Sequence, residues 1–190
     1  MGADGFSCTW RRHNVVIAHT AQLREAELAA IRRLLDDAFG GQFDDHDWDH
    51  TLGGVHTLIA QDDHVIAHAA VVRRRFVHDG RAVRVGYVEG VAVDRHRRGC
   101  GYAAAVLNEA ERVIRAAYDL GALSVAGGVE GLYLSRGWLA WQGRTSVLAP
   151  GGITRTPDDD GSVFVLPVPA GVRVDVTGTL VCDWRAGDVW

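Results

Sequence analysis

The stretch RHRRGCGYAAAVL, residues 95–107, is the most informative part of this sequence about its fold. It begins with an arginine cluster, passes through two glycines and continues into an alanine-rich apolar run. A glycine-rich turn between a strand and a helix directs backbone N–H groups at one point, where the helix N-terminus adds positive potential. Arginines nearby can form bidentate contacts with phosphate oxygens. The stretch therefore predicts a phosphate or pyrophosphate loop; the alternative is a surface turn with solvated arginines.

Two phosphate-binding patterns match these letters. Residues 99–104, GCGYAA, match the dinucleotide pattern G-x-G-x-x-A, which should follow the first strand of a βαβ unit and be followed by an acidic residue that contacts the ribose. Here the pattern follows the fourth predicted strand, and Asp119, the acidic residue at that distance, precedes the next strand. Residues 98–103 also match R-x-x-G-x-A, which resembles the coenzyme A pyrophosphate loop of the GCN5-related N-acetyltransferase (GNAT) superfamily. The position after the fourth strand and before the third helix agrees with that fold.

Apolar periodicity gives the order strand, two helices, three strands, helix, strand, helix and further strands. This order predicts an α+β (mixed α/β) fold with one central, mostly antiparallel twisted sheet flanked by helices. We predict a single domain over residues 1–190, with residues 1–13 disordered or loosely attached. Strands are expected at residues 14–19, three times within 53–93 with turns at 62–63 and 79–80, and at 121–127, 138–149, 162–168 and 172–184; helices are expected at 23–39, within 40–50, after the loop, and at 129–137; residues 150–161 are expected to form a loop.

Composition excludes several classes of protein. All 20 basic side chains are arginine, so the lysine of a P-loop or of a pyridoxal phosphate enzyme is missing. A net charge of -4 argues against nucleic acid and suits a cationic partner. No apolar run approaches the roughly 18 residues of a membrane span, and no secretory segment is visible. We therefore expect a cytoplasmic protein with no membrane partner, whose three cysteines, Cys8, Cys100 and Cys182, are reduced thiols.

The strand before the loop, RVGYVEGVAVD, contains Gly86 and Gly90. Glycine inside a strand predicts a bulge or a close backbone approach, although an ordinary strand can tolerate it. In the GNAT fold that the loop resembles, a bulge separates strand 4 from strand 5, and acetyl-CoA lies in that cleft. The resemblance implies that Val91 and Val93 pair with the pantetheine arm.

Two side chains suit acetyl transfer to an amine. The amine must lose a proton to attack a thioester, and Glu89, just before the bulge, is the predicted base. The departing thiolate needs a proton donor, and Tyr133 in the segment GLYLSRGW is the candidate that the GNAT resemblance suggests. The alternative for Glu89 is a solvated carboxylate, and the alternative for Tyr133 is a packed aromatic ring.

Acidic residues recur in segments 44–49, 158–160 and 183–188. Each segment alone reads as a solvated turn, but together they can line a site for a polycation. The last residue, Trp190, adds an indole surface and a terminal carboxylate, which suit sugars and ammonium groups. His46 and His50 are spaced like a metal pair, but no third ligand is evident, so we expect no metal.

Several stretches together resemble the aminoglycoside 2'-N-acetyltransferases: DWDHTLGG, IAHAAVV, GYVEGVAV, YLSRGW, TSVLAP, TPDDDG, FVLP and CDWRAGDVW. The likeness runs from about residue 15 to residue 190 and implies a homodimeric GNAT enzyme that acetylates the 2'-amine of aminoglycosides from acetyl-CoA. It makes Glu89 a base acting through water and Tyr133 the acid. It places the pyrophosphate on Arg98, Gly99, Cys100, Gly101, Tyr102 and Ala103. It places the antibiotic on Asp47, the carbonyl of Gly90, Ser124, Asp159, Asp188 and Trp190. Gln42 departs from the family, which has an acidic residue there, so the ranking of substrates is open.

Two other functions remain open at this point. The same fold could acetylate a polyamine, a peptide N-terminus or a cell-wall amino sugar. A GNAT-like domain could also bind acetyl-CoA without turnover and sense its level, although the presence of both Glu89 and Tyr133 argues against this.

Overall fold

The computed structural model describes residues 14–61, 64–125 and 127–190. The order of elements within them is the predicted one. The predicted turn at residues 62–63 and the expectation for residues 1–13 lie outside the described residues. The helices are α1 (Glu25–Ala38), α2 (Asp45–Thr51), α3 (Tyr102–Ala117) and α4 (Glu130–Leu134). The strands are β1 (Val16–His19), β2 (Val55–Gln61), β3 (His64–His78), β4 (Arg81–Val93), β5 (Leu120–Ser124), β6 (Leu139–Ala140), β7 (Thr145–Ala149), β8 (Gly152–Arg155), β9 (Val163–Pro167) and β10 (Leu180–Asp183).

One sheet contains all of these strands. Its order is β6-β9-β5-β4-β3-β10-β7-β8, and β2 pairs with β3 and carries β1. β3 has 15 residues, so that β2 pairs with its first half and β10 with its end. The pairings β4–β5 and β7–β10 are parallel, and the other pairings of described strands are antiparallel. The predicted α+β fold with a mostly antiparallel sheet is confirmed.

The β3–β4 hairpin and helix α3 build the part of the sheet that carries the predicted loop. Asp79 and Gly80 form the hairpin turn at φ 51° and 71°, as the Asp-Gly signal predicts. The apolar face of α3 covers β3, β4 and β5. A Cβ atom at Gly86 would lie 2.7 Å from Tyr118 Cδ2 and 2.9 Å from Ile114 Cγ1. Glycine at this position therefore permits the close approach of α3 to the strand.

The C-terminal third differs from the predicted pattern. The strand expected at residues 138–149 is two strands, β6 and β7, because buried Trp141 turns inward and its Nε1 donates to the carbonyl of Gly178 at 3.1 Å. The loop expected at residues 150–161 contains β8, which pairs with β7. The strand expected at residues 172–184 shrinks to β10. Alternate residues of segment 172–176 are valines packed against the core, which mimics the period of a strand.

Two further findings concern the cysteines and the helices. Cys182 is free and buried, as predicted, but Cys100 is disulfide-bonded, so the prediction of reduced thiols is wrong for Cys100. No helix within the described ranges has the length and apolar character to span a bilayer.

Candidate active site

The sheet opens between β4 and β5. Their parallel pairing runs from Val85–Leu120 to Tyr87–Ala122 and stops there, although both strands continue. On the other side of β4, the register with β3 shifts between His68 and Ala70. Gly90 lies in this bulge at φ 55°, a backbone conformation that residues other than glycine rarely adopt. The predicted bulge and separation of the strands are both present.

A cleft of about 450 Å³ occupies this opening and brings together residues that are distant in sequence. It collects all eight predicted catalytic and acceptor residues, which come from two helices, two strands, the segment between β8 and β9 and the C-terminal segment. Val91 and Gln42, the position that departs from the family pattern, also line it. The predicted acceptor and catalytic residues in its lining are Asp47, Glu89, Gly90, Ser124, Tyr133, Asp159, Asp188 and Trp190.

The predicted phosphate loop lies at the N-terminus of α3. Gly99 and Gly101 have φ values of 78° and 79°, and no side chain caps the helix. A Cβ atom at either glycine would meet none of the described residues within 4 Å. Arg98 is exposed, and its Nε lies 3.5 Å from the carbonyl of Val93. This arrangement fits a phosphate group on uncapped backbone N–H donors.

Two members of the predicted cofactor set can contribute only partly. The side chain of Tyr102 is buried in the core beneath the loop, so Tyr102 would contact a phosphate through its backbone and not through its ring. The sulfur of Cys100 is in a disulfide, so Cys100 would likewise contact a phosphate through its backbone. Ala103 follows in the first turn of α3, where backbone N–H groups have no partner within the helix.

Glu89 lies in the cleft with 16% of its side chain exposed. Burial raises the pKa of this carboxyl, and the nearby Asp47 adds to the rise. The guanidinium of Arg185, which donates from Nη1 to Glu89 Oε1, opposes the rise. A carboxylate with a raised pKa is a stronger base than a solvated one, which suits proton abstraction near neutral pH.

Arg185 is a site residue that the sequence analysis missed. Its Nε donates to the carbonyl of Asp188 at 2.7 Å, and its Nη2 donates to the carbonyl oxygen of Trp190 at 3.0 Å. Its guanidinium also lies 5.3 Å from the ring centroid of Tyr87. Arg185 therefore joins the candidate base to the C-terminal segment. Because Glu89 is 96 residues away in sequence, no local pattern indicated this pair.

The C-terminal segment is fixed against the body of the protein. Trp190 is 5% exposed, its ring packs edge-on against Phe76 at 5.2 Å, and its Nε1 donates to Thr156 Oγ1 at 2.9 Å. His50 Nε2 donates to the carbonyl of Ala186 at 2.8 Å. The indole is thus largely used in packing, and His50, considered above as half of a metal pair, positions the segment.

Tyr133 is 6% exposed and packs edge-on against Trp138. Burial raises the pKa of its hydroxyl to about 12, so the phenol stays protonated at neutral pH and can donate a proton. The segment that carries it is attached to α3 through buried Glu111. Glu111 Oε1 accepts hydrogen bonds from Trp138 Nε1 at 3.0 Å and from Arg136 Nε at 2.6 Å.

The side of the cleft that is predicted to bind the amine substrate, the acceptor of the acetyl group, is acidic. Burial raises the pKa of Asp159, and the neighbouring charges of Asp188, Asp158 and Asp160 raise it further. Such mutual repulsion among carboxylates is relieved when a cation binds between them. Asp47 is already engaged, since its Oδ2 accepts from the backbone N–H of Asp44 at 3.0 Å.

The remaining predicted acceptor groups also have partners within the protein. Ser124 Oγ donates to Ser162 Oγ at 3.2 Å. The carbonyl of Gly90 accepts from His68 Nδ1 at 2.8 Å, and this histidine is a second residue that the sequence analysis missed. A contact between an acceptor and the Gly90 carbonyl would use its second lone pair.

The opened sheet, the glycine loop and the acid and base candidates define an acetyltransferase of the GNAT class. Residues 23–133 match the family model described as Acetyltransferase (GNAT) family, and the chain belongs to this family. It is 52% identical over 180 residues to the aminoglycoside 2'-N-acetyltransferase of Mycolicibacterium fortuitum. This alignment covers 94% of the chain and 92% of the relative.

Solved structures share the fold. The GNAT family N-acetyltransferase YhbS from Escherichia coli, in complex with CoA, has a TM-score of 0.60 and 18% identity, covering 88% of each chain. Escherichia coli ElaA has a TM-score of 0.56 and 15% identity, covering 80% of this chain and 97% of its own.

Proposed function

We propose that this acetyltransferase transfers the acetyl group of acetyl-CoA to the 2'-amino group of aminoglycoside antibiotics. The observation that carries the proposal is the convergence of Glu89 with three aspartates, Asp47, Asp159 and Asp188, in one cleft beside the open edge of β4. The relative from Mycolicibacterium fortuitum, which aligns with nearly the whole chain, supports the choice of acceptor.

The residues of the chain suit acetyl-CoA, which supplies the acetyl group when bound. Beyond Tyr87, the edge of β4 that faces β5 is no longer paired to it, so Val91 and Val93 can hydrogen-bond the pantetheine arm as a neighbouring strand would. The backbone N–H groups of residues 99–103 and the guanidinium of Arg98 hold the pyrophosphate. The backbone N–H of Val91 polarises the thioester carbonyl.

Proton transfer is assigned to two side chains. Glu89 accepts, through one water molecule, the proton that the 2'-amine loses when it attacks in a ternary complex. Tyr133 donates its hydroxyl proton to the departing sulfur. Burial supports both roles, because it raises the pKa of the Glu89 carboxyl and keeps the Tyr133 phenol protonated.

Acceptor binding is assigned to the acidic side of the cleft. Asp47, Asp159 and Asp188 bind ammonium groups, the hydroxyl of Ser124 donates or accepts a hydrogen bond, and the carbonyl of Gly90 accepts one. Trp190 lies at the border of the cleft on this side. Gln42 lines the same cleft and carries no charge. An acceptor that places a cation beside Gln42 therefore binds less tightly than it would to a protein with an acidic residue there.

We further propose that the protein is a single-domain, cytoplasmic homodimer that confers resistance by N-acetylation. No metal, nucleic acid or membrane is needed for this activity.

The test follows thiol release from acetyl-CoA with kanamycin A, which carries a 2'-hydroxyl, and kanamycin B, which carries a 2'-amine. Turnover with B and none with A supports the proposal and its regiochemistry. Equal turnover with both overturns the site assignment, because another amine is then acetylated. Turnover with neither drug, despite cofactor binding, favours a polyamine acceptor or a sensor of acetyl-CoA.

A further inference from the structure

A buried chain of hydrogen bonds begins at the bulge beside Glu89. His68 Nδ1 lies 2.8 Å from the carbonyl oxygen of Gly90. His68 Nε2 lies 2.8 Å from His56 Nδ1, and His56 Nε2 lies 2.8 Å from Thr20 Oγ1. Both histidines are 0% exposed. The chain ends at half-buried Thr20, whose Oγ1 accepts from the backbone N–H of Gly53 at 2.9 Å.

The partners fix where every proton of this chain lies. A carbonyl oxygen can only accept, so His68 Nδ1 carries the proton that it donates to Gly90. Burial lowers the pKa of His68 to about 3 and that of His56 to about 4, so both rings are neutral at physiological pH. Nε2 of His68 must then accept from Nδ1–H of His56. Nε2 of His56 in turn accepts from the hydroxyl of Thr20 at 2.8 Å, a shorter contact than the 3.3 Å that separates this hydroxyl from the carbonyl oxygen of Gly54.

This arrangement orients the Gly90–Val91 peptide. In a trans peptide the C=O and the following N–H point in opposite directions. His68 belongs to β3, so the Gly90 carbonyl that it binds is turned toward the β3 side of the strand. The N–H of Val91 is therefore turned toward β5, where the pairing has ended and the cleft opens.

Without this hydrogen bond, little would hold the peptide in place. At the register shift, Gly90 and Val91 both lie opposite Ala69 of β3, and neither has a Cα partner in the β3–β4 pairing. Glycine at φ 55° can rotate more freely than other residues, so the peptide could reverse and present a carbonyl to the cleft. A carbonyl there would repel the developing negative charge that an N–H stabilises.

We propose that His68 is a positioning residue that locks the Gly90–Val91 peptide with the Val91 N–H facing the thioester carbonyl, and that His56 and Thr20 hold His68 in the required tautomer. This inference rests on the proposed acetyl transfer for its catalytic consequence. Its structural part concerns the free protein and stands separately.

The structural part is tested by ¹⁵N NMR of the histidine rings in the unliganded protein. We expect His68 and His56 to be neutral Nδ1–H tautomers at pH 7. An Nε2–H tautomer or a charged ring at His68 would overturn the proposal. This measurement needs no variant and no turnover, so it also decides the matter if the protein acetylates none of the tested amines.

The functional part is tested with His68→Asn, which keeps an N–H donor near the position of Nδ1, and His68→Leu, which removes it. His64→Leu, at the exposed start of the same strand, is the matched control. The probe is acetyl-CoA labelled with ¹³C at the thioester carbonyl, whose infrared stretch is recorded on each protein. We expect the wild type, His64→Leu and His68→Asn to lower this frequency relative to water, and His68→Leu not to.

Kinetics provide the second readout. We expect His68→Leu to lower kcat about tenfold to a hundredfold, somewhat less than the complete loss of an oxyanion donor. We expect the dissociation constant for CoA to change less than about threefold, and His68→Asn to recover most of kcat. If folded His68→Leu shows the same carbonyl frequency as the wild type, the positioning role is refuted. It is also refuted if His68→Asn does not restore both the frequency and kcat. If no amine is acetylated although the frequency shift is present, the proposed function fails and the positioning role stands.

Discussion

At the scale of single residues, the groups around Glu89 shift the pKa of its carboxyl in opposite directions. Burial and Asp47 raise the pKa of its carboxyl, while Arg185 and Arg74 lower it. Burial has the larger effect, so the carboxyl gains basicity compared with a solvated glutamate. The ion pair with Arg185 keeps the carboxylate oriented in the cleft.

Replacing Glu89 by Gln should lower kcat about a hundredfold or more, because proton transfer by a positioned base contributes that much. Binding of acetyl-CoA should be retained, since this side chain belongs to the acceptor side. The wild-type kcat/KM should fall as the pH falls through the raised pKa of Glu89, above the usual value of 4.5, and the variant should lose this dependence. Equal turnover in both proteins would remove Glu89 from the role of base.

Replacing Arg185 by Met should move the acid limb of the pH profile to higher pH. The substitution removes a positive charge that lowers the pKa of Glu89, so the carboxyl protonates earlier on acidification. The acceptor KM should also rise, since the segment of Asp188 and Trp190 loses two hydrogen bonds. Arg33→Met, at an exposed position of α1, is the control. A limb at the same pH as in the wild type would contradict the assigned electrostatic role.

At the scale of elements, the separate pieces of the site are held together by buried polar contacts. Glu111 on α3 fixes the segment from α4 to β6 through Arg136 and Trp138. His50 on α2 fixes the C-terminal segment through the carbonyl of Ala186. Each contact joins elements that are far apart in sequence, so the geometry of the cleft depends on the whole set.

Replacing Glu111 by Ala should destabilise the protein by about 3–5 kcal/mol, because Arg136 would keep a largely buried and unpaired charge. Thermal denaturation measures the loss. Glu109→Ala is the matched control on the same helix, since its pair with Arg112 is more exposed and should contribute less than about 1 kcal/mol. Equal melting temperatures for the two variants would show that the Glu111 contacts do not stabilise α4.

Deleting Trp190 should raise the acceptor KM and leave the acetyl-CoA KM nearly unchanged. The deletion removes the edge of the cleft on the acceptor side and the hydrogen bond to Thr156. Steady-state kinetics with each substrate varied in turn distinguishes the two constants. An unaltered acceptor KM would make the terminus structural only, with its effect confined to the melting temperature.

At the scale of the whole molecule, the sequence predicted best where a local pattern determines structure. Neighbouring residues in the sequence determine three of the predicted features. These are the Asp79-Gly80 turn, the apolar face of α3 and the glycine-rich loop. The division of β6 from β7 depends on Trp141 reaching Gly178, and segment 172–176 imitates a strand without pairing as one. Arg185 and His68 were missed because their partners come from other strands or segments.

The charge of the molecule leads to one further expectation. A polycationic acceptor held by carboxylates should bind less tightly as salt screens the attraction. We expect the acceptor KM to rise several-fold between about 0.05 and 0.5 M salt, and the rise to be smaller in the double variant Asp159→Asn, Asp188→Asn. Parallel slopes for both proteins would show that these aspartates do not bind the charged groups of the acceptor.

The interrupted pairing between β4 and β5 also bears on how long the protein survives in a cell. Acetyl-CoA that binds beside this unpaired stretch of β4 binds the folded protein and not the unfolded chain, so it stabilises the folded state. A ligand that binds only the folded state adds about 2.7 kcal/mol when present at a hundredfold excess over its Kd. The unfolded fraction available to proteases would then fall about a hundredfold. The amount of enzyme that a cell keeps would therefore follow its supply of acetyl-CoA, and starvation would deplete the catalyst together with its substrate.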